Sequence, residues 1–333
     1  MSVKFGLLGA GRIGKVHARA IAGNRDAELV VVADAMAGAA EALAGEYGAR
    51  VDTIDAIAAD PRVDAVVICT PTDTHADLIE QFVRAGKAVF CEKPIDLSVA
   101  RVKECLATVA DEGGVLMVGF NRRFDPDFMA VKAALDAGRV GKVEMVTISS
   151  RDPSPPPAEY AARSGGIFRD MTIHDFDMAR WLLGEEPETV LAAASVLVDP
   201  AIGVAGDYDS VNVILRTASG RQAVITNSRR AAYGYDQRIE VLGDKGAVAA
   251  MNMAEANIEI ADAGGFHRPP LLNFFMTRYV AAYANEITAF VAAVKDGAAT
   301  PTTGEDGLRA LLLADAALRS VAEGRAVKVS EIG

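Results

Sequence analysis

Several groups of residues in this 333-residue chain have the types and spacing that chemistry requires. The first is Gly9-Ala10-Gly11-Arg12-Ile13-Gly14, which follows the apolar run Val3 to Leu8 and leads into a helical pattern. An acid, Asp34, closes the next apolar run, Leu29 to Ala33, twenty residues past Gly14. Strand, glycine turn, helix, strand, acid is the context in which such a turn cradles a dinucleotide. Gly9 permits the tight turn, Gly11 lets backbone approach a pyrophosphate, and Gly14 lets the helix pack closely. Arg12 and Ile13 stand at the helix N-terminus, whose N–H groups and dipole attract phosphate. Asp34 would accept hydrogen bonds from an adenosine ribose and repel a 2′-phosphate, and Ala35 and Met36 offer no arginine to one, so NAD is expected rather than NADP. The bland readings are a chance glycine turn and an acid that merely ends a strand.

Thr70-Pro71-Thr72 and Glu92-Lys93-Pro94 follow two further apolar runs, where ligands of open parallel sheets lie. Lys93, desolvated by apolar neighbours, could face an alcohol or carbonyl oxygen. The segment Gly165 to His174 places Asp170 four residues before His174, on one face if both are helical, with Asp177 three residues further. A carboxylate beside an imidazole orients it and raises its basicity, as a general base for an alcohol proton requires. The alternative is that Asp170 caps a helix and His174 is a satisfied interior histidine. No third ligand with clear spacing joins the pair and Lys93 would repel a cation, so no metal site is expected.

These residues need elements to hold them. Through residue 120 the chain alternates continuous apolar runs with helical patterns (38 to 47, 73 to 85, 98 to 111), as a parallel sheet covered on both faces demands. Beyond it, after one more helix (125 to 137), apolar segments at 143 to 150, 188 to 198, 209 to 217, 221 to 229, 236 to 242 and 246 to 251 are joined by short turns and read as antiparallel strands. In one of them Val211, Val213 and Leu215 face one way, and Ala218-Ser219-Gly220 supplies a hairpin turn. Asp175 to Leu183 reads as an amphipathic helix, Asp152 to Pro157 as a stiff extended connection, and 275 to 295 and 305 to 322 as helices. The expected fold is α/β: a doubly wound Rossmann domain over residues 1–120, then an α+β domain over 121–333 with a large, open, mostly antiparallel sheet. One face of that sheet needs a partner, which points to a homo-oligomer.

A net charge of −11 and a pI near 5.0 argue against nucleic acid or an anionic membrane as partner. No apolar run reaches the length of a membrane span. The N-terminus enters a strand directly, leaving no room for a cleavable leader, and the cytoplasm is the expected compartment. Cys69, Cys91 and Cys105 lack CxxC spacing and read as reduced, buried packing residues.

Together with Asp34, the GAGRIG turn, Cys69 to His75, Glu92-Lys93-Pro94, Gly119 to Asp125, Gly165 to Arg180, Asn227 to Arg230 and Tyr233 to Gln237 resemble the Gfo/Idh/MocA oxidoreductases, above all the inositol 2-dehydrogenase branch. The resemblance covers nearly the whole chain. It implies a tetramer built through the C-terminal sheet and NAD-linked oxidation of myo-inositol to its 2-keto form. It makes Lys93, Asp170 and His174 the catalytic set: His174 takes the hydroxyl proton, Asp170 supports it, and Lys93 stabilises the alkoxide. Arg122, Asp152 and Tyr233 would join them around the polyol hydroxyls, or be structural as an ion pair, a turn and a packed aromatic. His75 would reach the nicotinamide side or start a helix. Other inositol isomers and pyranoses stay open as substrates, as do an NAD-binding regulator and NAD-assisted glycoside cleavage on the same fold.

Overall fold

The apolar runs of the N-terminal part form six parallel strands, β1 (Val3–Leu8), β2 (Ala27–Ala33), β3 (Arg50–Val51), β4 (Ala65–Ile68), β5 (Ala88–Glu92) and β6 (Leu116–Gly119), in the order β3-β2-β1-β4-β5-β6. The computed structural model describes residues 2–161 and 163–333. Phe5, Leu7, Val66, Val67, Val89 and Phe90 are fully buried because helices cover both faces of the sheet. The connecting helices are α1 (Arg12–Ala22), α2 (Ala37–Tyr47), α3 (Ile54–Ala59), α4 (His75–Arg84) and α5 (Val99–Asp111). Strand order reverses between β1 and β4, the point beyond which such sheets bind ligands.

The chain divides into two compact units, and the first holds residues up to Asp125 together with Val280–Leu311. The expected boundary after residue 120 places everything later in the second domain. The helix Val280–Asp296 belongs to the first unit for a packing reason: its Phe290 ring lies 6.0 Å from that of Phe5 and 5.7 Å from that of Phe90, and Tyr283 meets His17 edge-on at 5.4 Å.

The second unit comprises Pro126–Tyr279 and Leu312–Gly333. Its seven-stranded sheet runs β12-β11-β7-β10-β9-β8-β13, with β7 (Val143–Arg151), β8 (Pro187–Ser195), β9 (Ser210–Thr217), β10 (Gln222–Ser228), β11 (Asp236–Gly243), β12 (Gly246–Ala250) and, near the C-terminus, β13 (Val327–Lys328). The sheet is mixed, since β7 and β10 pair in parallel while its other pairs are antiparallel. The parallel pair is joined by a long crossover connection, residues 152–221, which among the described residues holds three α-helices and the strands β8 and β9. Val211, Val213 and Leu215 are buried and Ile214 is exposed, as the alternation requires, and Gly220 makes the hairpin turn at φ +92°.

The inner face is covered by α8 (Ile173–Leu183), preceded in this unit by α6 (Pro126–Asp136) and α7 (Ala158–Ala161). The expected amphipathic pattern of α8 is absent: Asp175, Asp177 and Arg180 are buried along with Phe176, Met178 and Leu182. The polar residues are tolerated inside because they are partnered, Asp175 accepting from Ser150 at 2.6 Å and Asn227 at 2.8 Å. Among the described residues, no helix is long and apolar enough to cross a membrane.

Candidate active site

In the first unit the glycine turn has the geometry of a phosphate cradle. Gly9 adopts φ +96°, and a Cβ there would stand 2.5 Å from the Cys69 carbonyl oxygen. At Gly14 a Cβ would stand 1.9 Å from the Gly9 carbonyl oxygen, so the helix start is pressed against its own turn. Gly11 differs, since a Cβ there would meet no atom within 4 Å. That open space lies at the N-terminus of α1, where Gly11 supplies no side-chain cap and Arg12 is exposed beside half-buried Ile13. Uncapped N–H groups, open space and an acid after β2 fit a dinucleotide pyrophosphate and ribose. Asp34 already binds the turn: Oδ2 accepts from Ala10 N at 2.6 Å and Oδ1 from Met36 N at 2.7 Å.

The ends of β4 and β5 are joined through His75. Its ring is buried, with Nδ1 2.8 Å from the Pro94 carbonyl and Nε2 2.8 Å from the Thr70 carbonyl. With both nitrogens on backbone carbonyls, His75 fixes Thr70 and the Lys93-Pro94 step relative to one another. Pro71 precedes the 3₁₀ turn Thr72–Thr74, and the Thr70 and Thr74 hydroxyls are 2.7 Å apart. Lys93 is half-buried and Arg122 is buried in the 3₁₀ turn Asn121–Phe124 after β6.

Beneath Lys93 lies a cluster that periodicity does not reveal. Glu92 Oε1 is 2.7 Å from His17 Nε2, and a Cβ at Gly119 would stand 3.0 Å from Glu92 Oε2. Glu286 is fully buried, with no hydrogen-bond partner for either carboxyl oxygen among the described residues. Burial, reinforced by the charge of Glu92, pushes the Glu286 carboxyl well above its ordinary range. The three cysteines are buried, and burial raises the thiols of Cys69 and Cys91 and pushes Cys105 up to about 12, so none is primed as a nucleophile.

In the second unit the glycine turn Gly165-Gly166 leads into a π-helical stretch, Phe168–Thr172, which continues as α8. Asp170 sits in that stretch and His174 is the second residue of α8, half-buried. Asp170 does not cap the helix; Oδ1 accepts from the Tyr160 hydroxyl at 3.0 Å, and Oδ2 lies 3.5 Å from Arg229 Nη1. Thr172 donates to Asn227 at 2.6 Å, which with the bonds to Asp175 pins the start of α8 to β10 and β7. Asp177 lies 3.7 Å from Arg180 in an ion pair.

Asp152, directly after β7, donates its N–H to the Ser228 carbonyl at 3.0 Å. The Tyr233 hydroxyl donates to Asp236 at 2.5 Å and accepts from Arg151 at 2.6 Å, so an exposed ring carries an anchored polar tip. Burial works to raise the Asp236 carboxyl, but bonds from Arg238, Tyr233 and Asn252 outweigh it and hold the group below its usual range. Tyr160, Asp207, Arg229, His17 and Glu286 are the polar residues near these sites that sequence reasoning missed. No local motif announces them, and only Arg229 lies within a segment, Asn227 to Arg230, that carries the family resemblance.

The NAD-binding Rossmann fold of an oxidoreductase family matches residues 3–120, and the GFO/IDH/MocA C-terminal domain matches residues 128–249. The chain is 69% identical over 330 residues to the inositol 2-dehydrogenase of Rhizobium meliloti (strain 1021), covering 99% of this chain and 100% of that protein. It resembles the crystal structure of a myo-inositol dehydrogenase from Corynebacterium glutamicum ATCC 13032 with a TM-score of 0.95 and 43% identity, covering 98% and 99% of the two chains. The scyllo-inositol dehydrogenase of Lactobacillus casei, solved with NAD(H) and scyllo-inositol, gives a TM-score of 0.92 at 29% identity, covering 99% and 100%. A Rossmann unit with its glycine cradle, a second unit built on an open mixed sheet and full-length similarity converge: the chain belongs to the GFO/IDH/MocA oxidoreductase family, with an NAD-binding Rossmann fold.

Proposed function

We propose that this protein oxidises myo-inositol to 2-keto-myo-inositol with NAD. The observation that carries the reading is full-length similarity to an inositol 2-dehydrogenase, 69% identical, in a chain that supplies Lys93, Asp170 and His174. NAD, when bound, supplies the acceptor for the carbinol hydride. The Gly9 to Gly14 turn, with Arg12 and Ile13, holds its pyrophosphate, Asp34 its adenosine ribose, and Thr70 to Thr72 and Lys93 its nicotinamide end, with His75 and Glu92 holding those segments in place from behind. His174 takes the proton of the reacting hydroxyl, Asp170 orients and supports that histidine, and Lys93 stabilises the oxygen as negative charge develops. Arg122, Asp152 and Tyr233 orient the remaining hydroxyls, each of which donates and accepts.

In this reading the first unit binds the dinucleotide and the second recognises the polyol and builds a homotetramer. Support for the tetramer comes from the outer face of the sheet, where exposed Leu191, Ile214 and Val224 stand side by side across β8, β9 and β10. The cytoplasm, with its NAD pool, is the proposed compartment. The likeness to a scyllo-inositol dehydrogenase makes scyllo-inositol the second substrate to test.

Lys93→Ala and His174→Ala test the assignment. Each is expected to lower kcat about a hundredfold or more while NAD affinity, read by fluorescence titration, stays within about threefold. Near-wild-type turnover in either variant would remove that residue from the mechanism.

A further inference from the structure

A buried cation lies against Asp170. Arg229 follows β10 directly, its N–H donates to the Asp209 carbonyl at 2.8 Å, and its side chain is 2% exposed. Nη1 lies 3.5 Å from Asp170 Oδ2 and Nη2 lies 3.4 Å from Asp207 Oδ2. Asp207 is itself an anchor: its Oδ1 accepts from Ile167 N at 2.9 Å, and a Cβ at Gly166, where φ is +81°, would stand 2.7 Å from that oxygen. The glycine turn is thus folded around Asp207, and Arg229 ties this anchor to the carboxylate on the π-helical stretch that the turn begins.

Tyr160, from α7, donates to the second Asp170 oxygen; Arg169 pairs with Asp315 at 2.7 Å; His174 follows four residues on. Burial, with the charge of Asp170, holds the Asp207 carboxyl above its ordinary range, against the opposing pull of the Ile167 and Tyr208 N–H groups and Arg229. A guanidinium buried between two carboxylates is costly to desolvate and contributes little net stability over an apolar replacement. What it supplies is a fixed charge and a planar fork that reaches two acceptors at once.

We propose that Arg229 is a positioning residue for the oxidation, holding the Asp170 carboxylate ionised and in place so that it supports His174 as proton acceptor. The role rests on the reading of Asp170 and His174 given under Proposed function.

The test is steady-state kinetics with NAD and myo-inositol across pH, with thermal unfolding of every variant. Arg229→Gln is expected to lower kcat about tenfold or more, to leave the KM for myo-inositol within about threefold, and to move the acid limb of the kcat profile up by about one pH unit, because a carboxylate without its cation protonates more readily. Arg229→Lys, which keeps the charge but cannot bridge both acids, should recover part of the loss.

Should Arg229→Gln fail to fold with Asp207 left uncompensated, Asp207→Asn/Arg229→Gln removes both charges together, and the loss of kcat and the shifted limb should persist in it. Wild-type kcat and acid limb in that double variant would show that Arg229 only compensates Asp207, and would overturn the proposal. A crippled Asp170→Asn beside a fully active Arg229→Gln would overturn it too. Wild-type turnover in Asp170→Asn would instead overturn the reading of Asp170 itself, and this role with it.

Discussion

Gly11 and Gly14 occupy opposite steric situations within one motif. A methyl group at Gly14 would collide with the Gly9 carbonyl, whereas one at Gly11 meets nothing within 4 Å and projects where a pyrophosphate would approach. Gly14→Ala is therefore expected to cost about 1–3 kcal/mol of stability or more, read as a lowered Tm. Gly11→Ala should keep the wild-type Tm and weaken NAD binding tenfold or more, read by calorimetric titration. A Gly11→Ala protein that binds NAD normally would contradict the cradle. The chemistry-bearing residues with local signatures, such as the glycines, Asp34 and Lys93, were visible in the sequence because a turn or strand end announces each one. Arg229 and Asp207 were not, since the pair is meaningful only once β10 brings residue 229 against the turn at Gly166.

At the scale of elements, the helix Val280–Asp296 buries the Glu286 carboxyl within reach of the charge of Glu92 at the end of β5. Unfolded, the Glu286 carboxyl titrates near 4.5; folded, burial and Glu92 hold its titration higher. The folded state therefore binds the proton more tightly, and this contribution to stability is complete below pH 4.5 and is lost as pH rises toward the folded value. Glu286→Gln lacks that slope. Its Tm relative to wild type should rise between pH 4.5 and pH 8, by about 1–2 °C for each kcal/mol of linkage, and a constant difference would contradict the assignment. Strand and helix types were legible from apolar runs and their periods. The parallel pairing of β7 with β10 was not, because alternation reports which face is buried and not which neighbour a strand takes. The burial of α8 escaped as well, since Asp175 and Arg180 mimic a solvent face until Ser150, Asn227 and Glu186 are seen to satisfy them.

At the scale of the whole molecule, the chain returns to its first unit through Val280–Leu311. A helix that docks on a distant sheet looks in sequence like one that docks nearby, so that return was hidden. The outer sheet face predicts assembly. Besides Leu191, Ile214 and Val224, it carries exposed Met145 and Leu242 directly opposite one another on β7 and β11. Exposed apolar side chains on one face support the assembly proposed above. Ile214→Glu is expected to convert a tetramer into smaller species in sedimentation velocity while far-ultraviolet circular dichroism is unchanged; a tetramer that persists would place the contact elsewhere.

The central claim, polyol oxidation by NAD, is tested most directly by mixing the purified protein with NAD and a panel of inositol isomers and pyranoses and following absorbance of the reduced nicotinamide at mildly alkaline pH. Selective reduction of NAD by myo-inositol is the result this account predicts. Silence across the panel, in protein shown to bind NAD, would contradict it.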